Sequence, residues 1–361
     1  MAKPVLYSAI TNHGFGHTTR AAAVAATVQQ LLPEVELIVA TTAPRWLLDC
    51  YIEGDFIHRQ RAFDVGVIQA DSIQMDLPAT LEKLQHIQGM EAEWVAEESA
   101  FLSSAGVQLV LADIPPIAVS IAHAAGVPCW MMSNFGWDFI YRPWGGGFED
   151  IADWISERFS QCDRLFRLPF HEPMAGFPVI EDVGLTGGDP RFDATDLRQK
   201  YSLAAPKEKT VLLTFGGLGL QQIPYEGLKA FTNWRFITFD RNAPDLPNLV
   251  KIQDPSLRPV DFMPLCGRAV SKPGFSTFSE ACRQDVPIIT ITRDDFAEAQ
   301  LLIDGMAASY EHRILEAEDF FEGSWRFLAQ PLTPPLRPKQ PLAKTGNQQI
   351  AQAVVDYLSA A

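Results

Sequence analysis

No stretch of this chain is apolar for long enough to cross a membrane, because every hydrophobic run is broken well short of the ~18 residues that a spanning helix needs. Positive charge is scarce: 29 Lys and Arg stand against 44 Asp and Glu, a formal net charge of −15. That balance lacks the basic face on which a phosphate backbone sits, and it excludes nucleic acid as the main partner. It also disfavours a general affinity for anionic membranes. Cysteine is nearly missing. Cys50, Cys129, Cys162, Cys266 and Cys282 are scattered and odd in number, with no Cys-x-x-Cys pair. This excludes a zinc knuckle or a disulfide frame and fits buried thiols in a reducing cytoplasm. No Asp-x-Asp pair closes a strand and no His/Cys cluster is visible, so neither a metal site nor a bound cofactor is expected. The amino terminus runs from one Lys straight into a strand, without the pattern of a secretory leader.

What is present is an α/β alternation long enough for two domains, since 361 residues exceed one ordinary core. The chain is organised around Asn12-His13-Gly14-Phe15-Gly16-His17-Thr18-Thr19-Arg20. An apolar run at 5–10 precedes it as a strand, and an Ala-rich run at 21–32 follows it as a helix. Strand, glycine turn and helix together place a loop at the carboxyl edge of a parallel sheet, where α/β proteins bind ligands. Gly14 and Gly16 let a ligand approach the backbone. Arg20 lies where a helix dipole disfavours a cation, which calls for a carboxylate or other anionic partner. The plain alternative is a tight turn with a capping Thr and surface histidines.

Further strands are expected at 35–42, 55–63, 107–112, 128–133 and 164–168, with helices at 44–52, 78–105, 117–125 and 148–162. Residues 64–77 have no sustained period and predict a loop. Asp113 closes a buried strand, either to orient a base or to cap the helix after Pro116. The aromatic stretch 134–141, with Asn134, Trp137 and Asp138, predicts a loop at another strand end. Its tryptophans serve either as core or as a stacking surface for a sugar or lipid.

Residues 170–189 are rich in Pro and Gly and poor in period, and they mark a domain boundary near 183–190. The second half opens with a strand at 210–215 ending in Gly216-Gly217. A helix at 224–232 and strands at 235–239 and 249–252 follow. Next comes Ser271-Lys272-Pro273-Gly274-Phe275-Ser276-Thr277, a strand, turn and helix start whose backbone donors suit an anion. Glu280 lies one turn further on. A strand at 287–292 precedes a helix opening at Arg293. Five prolines between 331 and 341 predict an extended connector, and 347–358 an amphipathic helix. Between Glu322 and Asp356 stand four basic residues and no acid, the one locally basic stretch.

The two halves resemble GT-B glycosyltransferases, an α/β architecture of two facing Rossmann-like domains with parallel sheets and a cleft between them. Gly14-Phe15-Gly16-His17 resembles the glycine–histidine loop of the lipid-linked UDP-GlcNAc transferase of peptidoglycan synthesis. Ser271 to Ala281 resembles the nucleotide-sugar helix of UDP-sugar transferases. Residues 14–20, 67–71, 133–141 and 272–275 resemble the glycosyltransferase-like amino-terminal half of arabinokinases and its stand-alone bacterial relatives. The kinase half has no counterpart here, and Arg20 stands where the peptidoglycan enzyme has Pro.

The resemblance implies an acceptor domain at 1–185, a donor domain at 186–345, and a terminal helix at 346–361 crossing back to the first. It implies transfer of a hexosyl group from a UDP-sugar to a hydroxyl, inverting and metal-independent. His17 would be the base and Asp113 its orienting carboxylate, with His13 a second candidate base. Gly216, Gly217, Lys272, Gly274 to Thr277 and Glu280 would hold the donor. Arg191 would lie near the uracil, and Asp294, Asp295 and Gln300 near the sugar hydroxyls, unless the latter are an ordinary acidic helix start. His13, Gly14, Gly16, Arg20, Asn134, Trp137 and Asp138 would face the acceptor, a small molecule or a lipid met by peripheral membrane contact. Two other functions fit the same pattern: a non-hydrolysing UDP-sugar epimerase and a non-catalytic nucleotide-sugar-binding module.

Overall fold

The computed structural model describes residues 3–68, 75–215, 223–293, 296–337 and 341–360. The chain forms two compact α/β units, one of Met1–Gly187 with Ala343–Ala361, the other of Gly188–Leu342.

The first unit holds β1 (Val5–Ile10), β2 (Glu36–Ala40), β3 (Ile57–Arg59), β4 (Leu109–Asp113), β5 (Cys129–Ser133), β6 (Arg164–Arg167) and β7 (Ile180–Asp182). They pair in the order β3-β2-β1-β4-β5-β6-β7, parallel throughout. Every residue of β1, β4 and β5 is buried. Helices cover both faces of such a sheet, so its central strands are unbroken apolar runs without alternation. The sheet grows in one direction from β1 and in the other from β4, with Ile10 opposite Asp113 in register. Loops leaving these two strands part company there, which opens a crevice at their carboxyl ends.

The helices of this unit are α1 (Gly16–Leu31), α2 (Arg45–Asp49), α3 (Leu77–Ala105), α4 (Ile117–Ala125), α5 (Trp137–Tyr141) and α6 (Gly147–Phe159). α1 buries Ala21, Ala22, Ala23, Val24 and Ala25, small side chains that let it lie close to its neighbours. α3 begins where the Asp76 side chain accepts the Ala79 N–H at 3.0 Å, and it ends at Gly106 with φ +68. Both are ordinary chemical stops for a helix.

The second unit repeats the plan with β8 (Thr210–Leu213), β9 (Arg235–Thr238), β10 (Leu249–Lys251), β11 (Arg268–Ser271), β12 (Ile288–Ile291) and β13 (His312–Leu315). Their order is β10-β9-β8-β11-β12-β13, again all parallel, with the reversal between β8 and β11. Its helices are α7 (Ala194–Lys200), α8 (Pro259–Phe262), α9 (Phe275–Arg283), α10 (Ala297–Ser309) and α11 (Ala317–Phe321). The last helix, α12 (Gly346–Ala360), belongs to the first unit and packs on α1.

Several expectations are corrected in detail. Residues 137–141 are helical, the 224–232 helix is a 3-10 turn at Tyr225–Ala230, and the 55–63 strand shrinks to three residues. The helix expected from Arg293 begins at Ala297. β7 and β13 were not anticipated. Among the described residues no helix is long and apolar enough to cross a membrane.

Candidate functional site

In the first unit the glycine loop leaves β1, turns at Gly14 with φ +60, and enters α1 at Gly16. A side chain at Gly14 would be strained by that φ whatever the space around it. His17 therefore sits in the first turn of α1, 7% exposed, above the end of β4. Its Nδ1 lies 2.8 Å from Oδ1 of Asp113. Asp113 does not cap α4, whose N-cap is Pro116, so its carboxyl serves the His17 side of the crevice.

Arg20 finds its carboxylate in the same residue. Its Nε donates to Asp113 Oδ2 at 2.5 Å and its Nη2 to Oδ1 at 2.6 Å, the two-pronged geometry that guanidinium and carboxylate share. Nη2 also donates to Ser133 Oγ at 3.0 Å, and Nη1 to Asn134 Oδ1 at 2.8 Å. Arg20 is 1% exposed and Asp113 likewise, so neither charge is shared with bulk water. Removing one partner of such a buried pair leaves a bare charge, at a cost of about 3–5 kcal/mol. Burial alone would push the Asp113 carboxyl up, but the Arg20 charge, the His17 ring beside it and the hydrogen bonds from both outweigh it and hold the group below its ordinary value.

Counting hydrogens places one proton. The two on Arg20 Nη2 are directed to Asp113 and Ser133, so the Arg20 Nη2–His17 Nδ1 approach of 3.0 Å needs no proton of its own. The hydrogen between Nδ1 and Asp113 then belongs to His17, and Nε2 is the nitrogen left to accept a proton when the ring is neutral.

Aromatic rings enclose this imidazole, with Phe135 at 5.7 Å and Trp137 at 6.0 Å between centroids. Trp137 and Tyr141 are each 1% exposed, so the aromatic stretch is core at these positions and not a stacking surface. His13 packs edge-on to Trp137 and accepts the Val67 N–H at 3.2 Å. Gly66 lies against it so closely that a Cβ there would meet His13 Cβ at 2.4 Å. Asp138 faces α6, where it accepts the Ser156 hydroxyl at 2.9 Å, and burial pushes its carboxyl up.

Four contributors went unread in the sequence: Asp64, Thr11, Ser133 and Gly66. Asp64 accepts the Thr11 hydroxyl at 2.5 Å and the Asn12 N–H at 2.8 Å, while Thr11 Oγ1 accepts N–H groups from Ile114 and Trp137 at 3.1 and 3.3 Å. An acid flanked by apolar residues, as in Phe63-Asp64-Val65, was the available signal.

In the second unit β11 runs through Lys272-Pro273-Gly274 into α9, and no side chain caps the start of that helix. Burial, with Arg293 beside it, pushes the Lys272 ammonium down to about 8. Phe275 and Ser276 are buried and Thr277 half-buried. Glu280 is 4% exposed and its Oε1 accepts the Gly188 N–H at 2.8 Å, so one of the two oxygens expected to meet ribose is committed to main chain. Arg283 donates to Gly188 O, also at 3.0 Å to Asp189, and the Arg191 N–H reaches Asp261 at 3.1 Å. The Arg191 guanidinium donates to Ser256 O at 2.5 Å and lies over the Phe192 ring. Gln300 is exposed and pairs with Asp304 on its own helix. Gly216, Gly217, Asp294 and Asp295 lie outside the described residues. Among the described residues no group of His, Cys, Asp and Glu is placed to hold a metal ion.

No family model matches the chain. The chain is 30% identical over 308 residues to L-arabinokinase of Arabidopsis thaliana, which covers 81% of this chain but only 28% of that protein. It thus spans about a quarter of the length of the curated relative it matches. Among solved structures it is similar to the calicheamicin glycosyltransferase CalG4, at TM-score 0.65 and 14% identity over 99% of each chain. A UDP complex of UDP-glucose:anthocyanidin 3-O-glucosyltransferase superposes at TM-score 0.64 and 12% identity over 100% of each chain. A UDP-glucose complex of Medicago truncatula UGT71G1 gives 0.58 and 14%, covering 97% of this chain and 93% of that one. The fold of the chain is that of the GT-B glycosyltransferases.

Proposed function

We propose that this chain transfers a hexosyl group from a UDP-sugar to a hydroxyl acceptor, with inversion and without a metal ion. The observation that carries the proposal is His17, held by Asp113 with its Nε2 lone pair available, at the carboxyl edge of the first sheet. A hydroxyl attacks an anomeric carbon well only as its proton leaves, and a positioned imidazole that takes that proton contributes typically ~10²–10⁴-fold. One base acting on one face of the sugar is what a single inverting displacement needs. The departing diphosphate would be met at the α9 start by backbone N–H groups and the cations Lys272 and Arg293. Glu280 would accept from the ribose hydroxyls beside its bond to Gly188. Support comes from the fold shared with UDP and UDP-glucose complexes. The acceptor is a small molecule or a lipid.

The roles separate on mutation. His17→Ala should lower kcat ~10²–10⁴-fold and leave UDP affinity nearly unchanged, because the ring meets only the acceptor proton. Glu280→Ala should mainly weaken UDP, by about 1.5–3 kcal/mol for charge-assisted bonds. Full turnover in His17→Ala would overturn the base assignment. UDP binding without turnover of any UDP-sugar in the wild type would make the chain a non-catalytic module. Conversion of UDP-GlcNAc with no acceptor present would make it an epimerase.

A further inference from the structure

Arg20 does more than any proton acceptor requires. A base and an orienting carboxylate are complete with His17 and Asp113, yet a cation is buried beside them at a 2.5 Å contact. The charged groups packed around His17 come from three elements. Arg20 lies on its own helix and Asp113 at the end of β4, while Asp64 lies in the loop after β3, bonded to Thr11. His13, in the glycine loop, shares the Trp137 ring with it.

With Arg20 positive, Asp113 negative and His17 neutral, the buried trio carries no net charge. Take Arg20 away and the same site holds an uncompensated carboxylate, with Asp64 close by adding to the negative side. A buried charge of that kind is costly, and the nearest remedy is a proton. The more basic of the two groups left in the site is the His17 ring, at Nε2. A proton there would give an imidazolium held by Asp113, and the ring would no longer accept anything.

We infer that Arg20 is a positioning residue that supplies the positive charge His17 would otherwise take up, and so keeps Nε2 unprotonated at neutral pH. Its hold on Ser133 and Asn134 fixes the guanidinium from the β5 side, so the charge cannot swing away. The inference deepens the transferase reading and rests on it only for the word base; the charge arrangement stands by itself.

Ring-nitrogen NMR of the full chain, labelled with 15N-histidine and examined at pH 7 with no ligand added, tests it. The wild-type His17 should show one protonated nitrogen, Nδ1, and one bare nitrogen. Arg20→Gln should show both nitrogens protonated, whereas Arg20→Lys, which retains the charge, should keep the wild-type pattern. A folded Arg20→Gln chain with the wild-type pattern would overturn the proposal. If Arg20→Gln does not fold, Arg20→Lys carries the test alone, and a doubly protonated ring in that variant would be equally fatal. Where a donor is in hand, transfer by Arg20→Gln should recover as pH is raised, with the donor KM unchanged. Absence of transfer in every variant, alongside the expected ring patterns, would remove the transferase reading and leave this one standing.

Discussion

Asp64 keeps its carboxyl 6% exposed between the Thr11 hydroxyl and the Asn12 N–H. Burial raises it above the ordinary carboxylate value, more than those two hydrogen bonds lower it. A carboxyl raised in the folded state favours folding most when protonated, and that advantage fades as pH climbs through the folded value. Asp64→Asn removes the titration. The stability difference between the two proteins should therefore move in favour of the wild type as pH falls from neutral toward the ordinary carboxylate value. Urea melts of both at several pH values would show it, and a pH-independent difference would refute it. Residues of this kind also mark where reading the sequence stops. Arg20 was legible as a cation in the wrong part of a helix, which demanded a carboxylate. Nothing in the chain order said that the carboxylate was Asp113, 93 residues on, because that pairing is made by the neighbouring of β1 and β4. The aromatic stretch left two readings open for a related reason: a run of rings has the same composition whether it faces solvent or, as Trp137 and Tyr141 do, the core.

At the scale of elements, long buried strands and alanine-rich helices announce themselves, while β7 and β13 do not. They are three and four residues long with charged members, edge strands whose place is set by a neighbour and not by their own pattern. The entry to α12 is equally contextual. Main chain lies on main chain there: Leu185 N–H donates to Ala343 O at 2.7 Å and Gly346 N–H to Leu185 O at 3.1 Å. A Cβ on Gly346 would come within 2.1 Å of Gly184 O, so the approach requires glycine. Asn347 completes the join by accepting the Gly187 N–H at 3.1 Å and donating to its carbonyl at 2.8 Å. Asn347→Ala removes both of these buried bonds and should cost about 1–3 kcal/mol. A denaturant midpoint that does not move would show that the join carries no load.

For the whole molecule, the donor assignment makes a claim that needs no acceptor. Uridine diphosphate or its sugars at 100 times their Kd should stabilise the chain by roughly 2.7 kcal/mol, read as a rise in Tm. A rise with adenine or guanine nucleotides and none with uridine compounds would reassign the donor. The two repeated sheets make such a shift interpretable, since each unit has its own core and the ligand is expected on one of them.

The return of residues 343–361 to the first unit also sets an order of events in time. A nascent chain that has delivered its first 187 residues has every strand of that sheet, yet not the helix that covers α1. The whole of the second unit must be made before the cover arrives. During that interval the face of α1 that α12 covers is open to water or to a chaperone, and the second unit is free to fold first. Closing the first unit then joins segments more than 150 residues apart, the kind of distant contact that slows folding. A pulse of protease on ribosome-bound chains should find the second unit resistant while the first is still being cut.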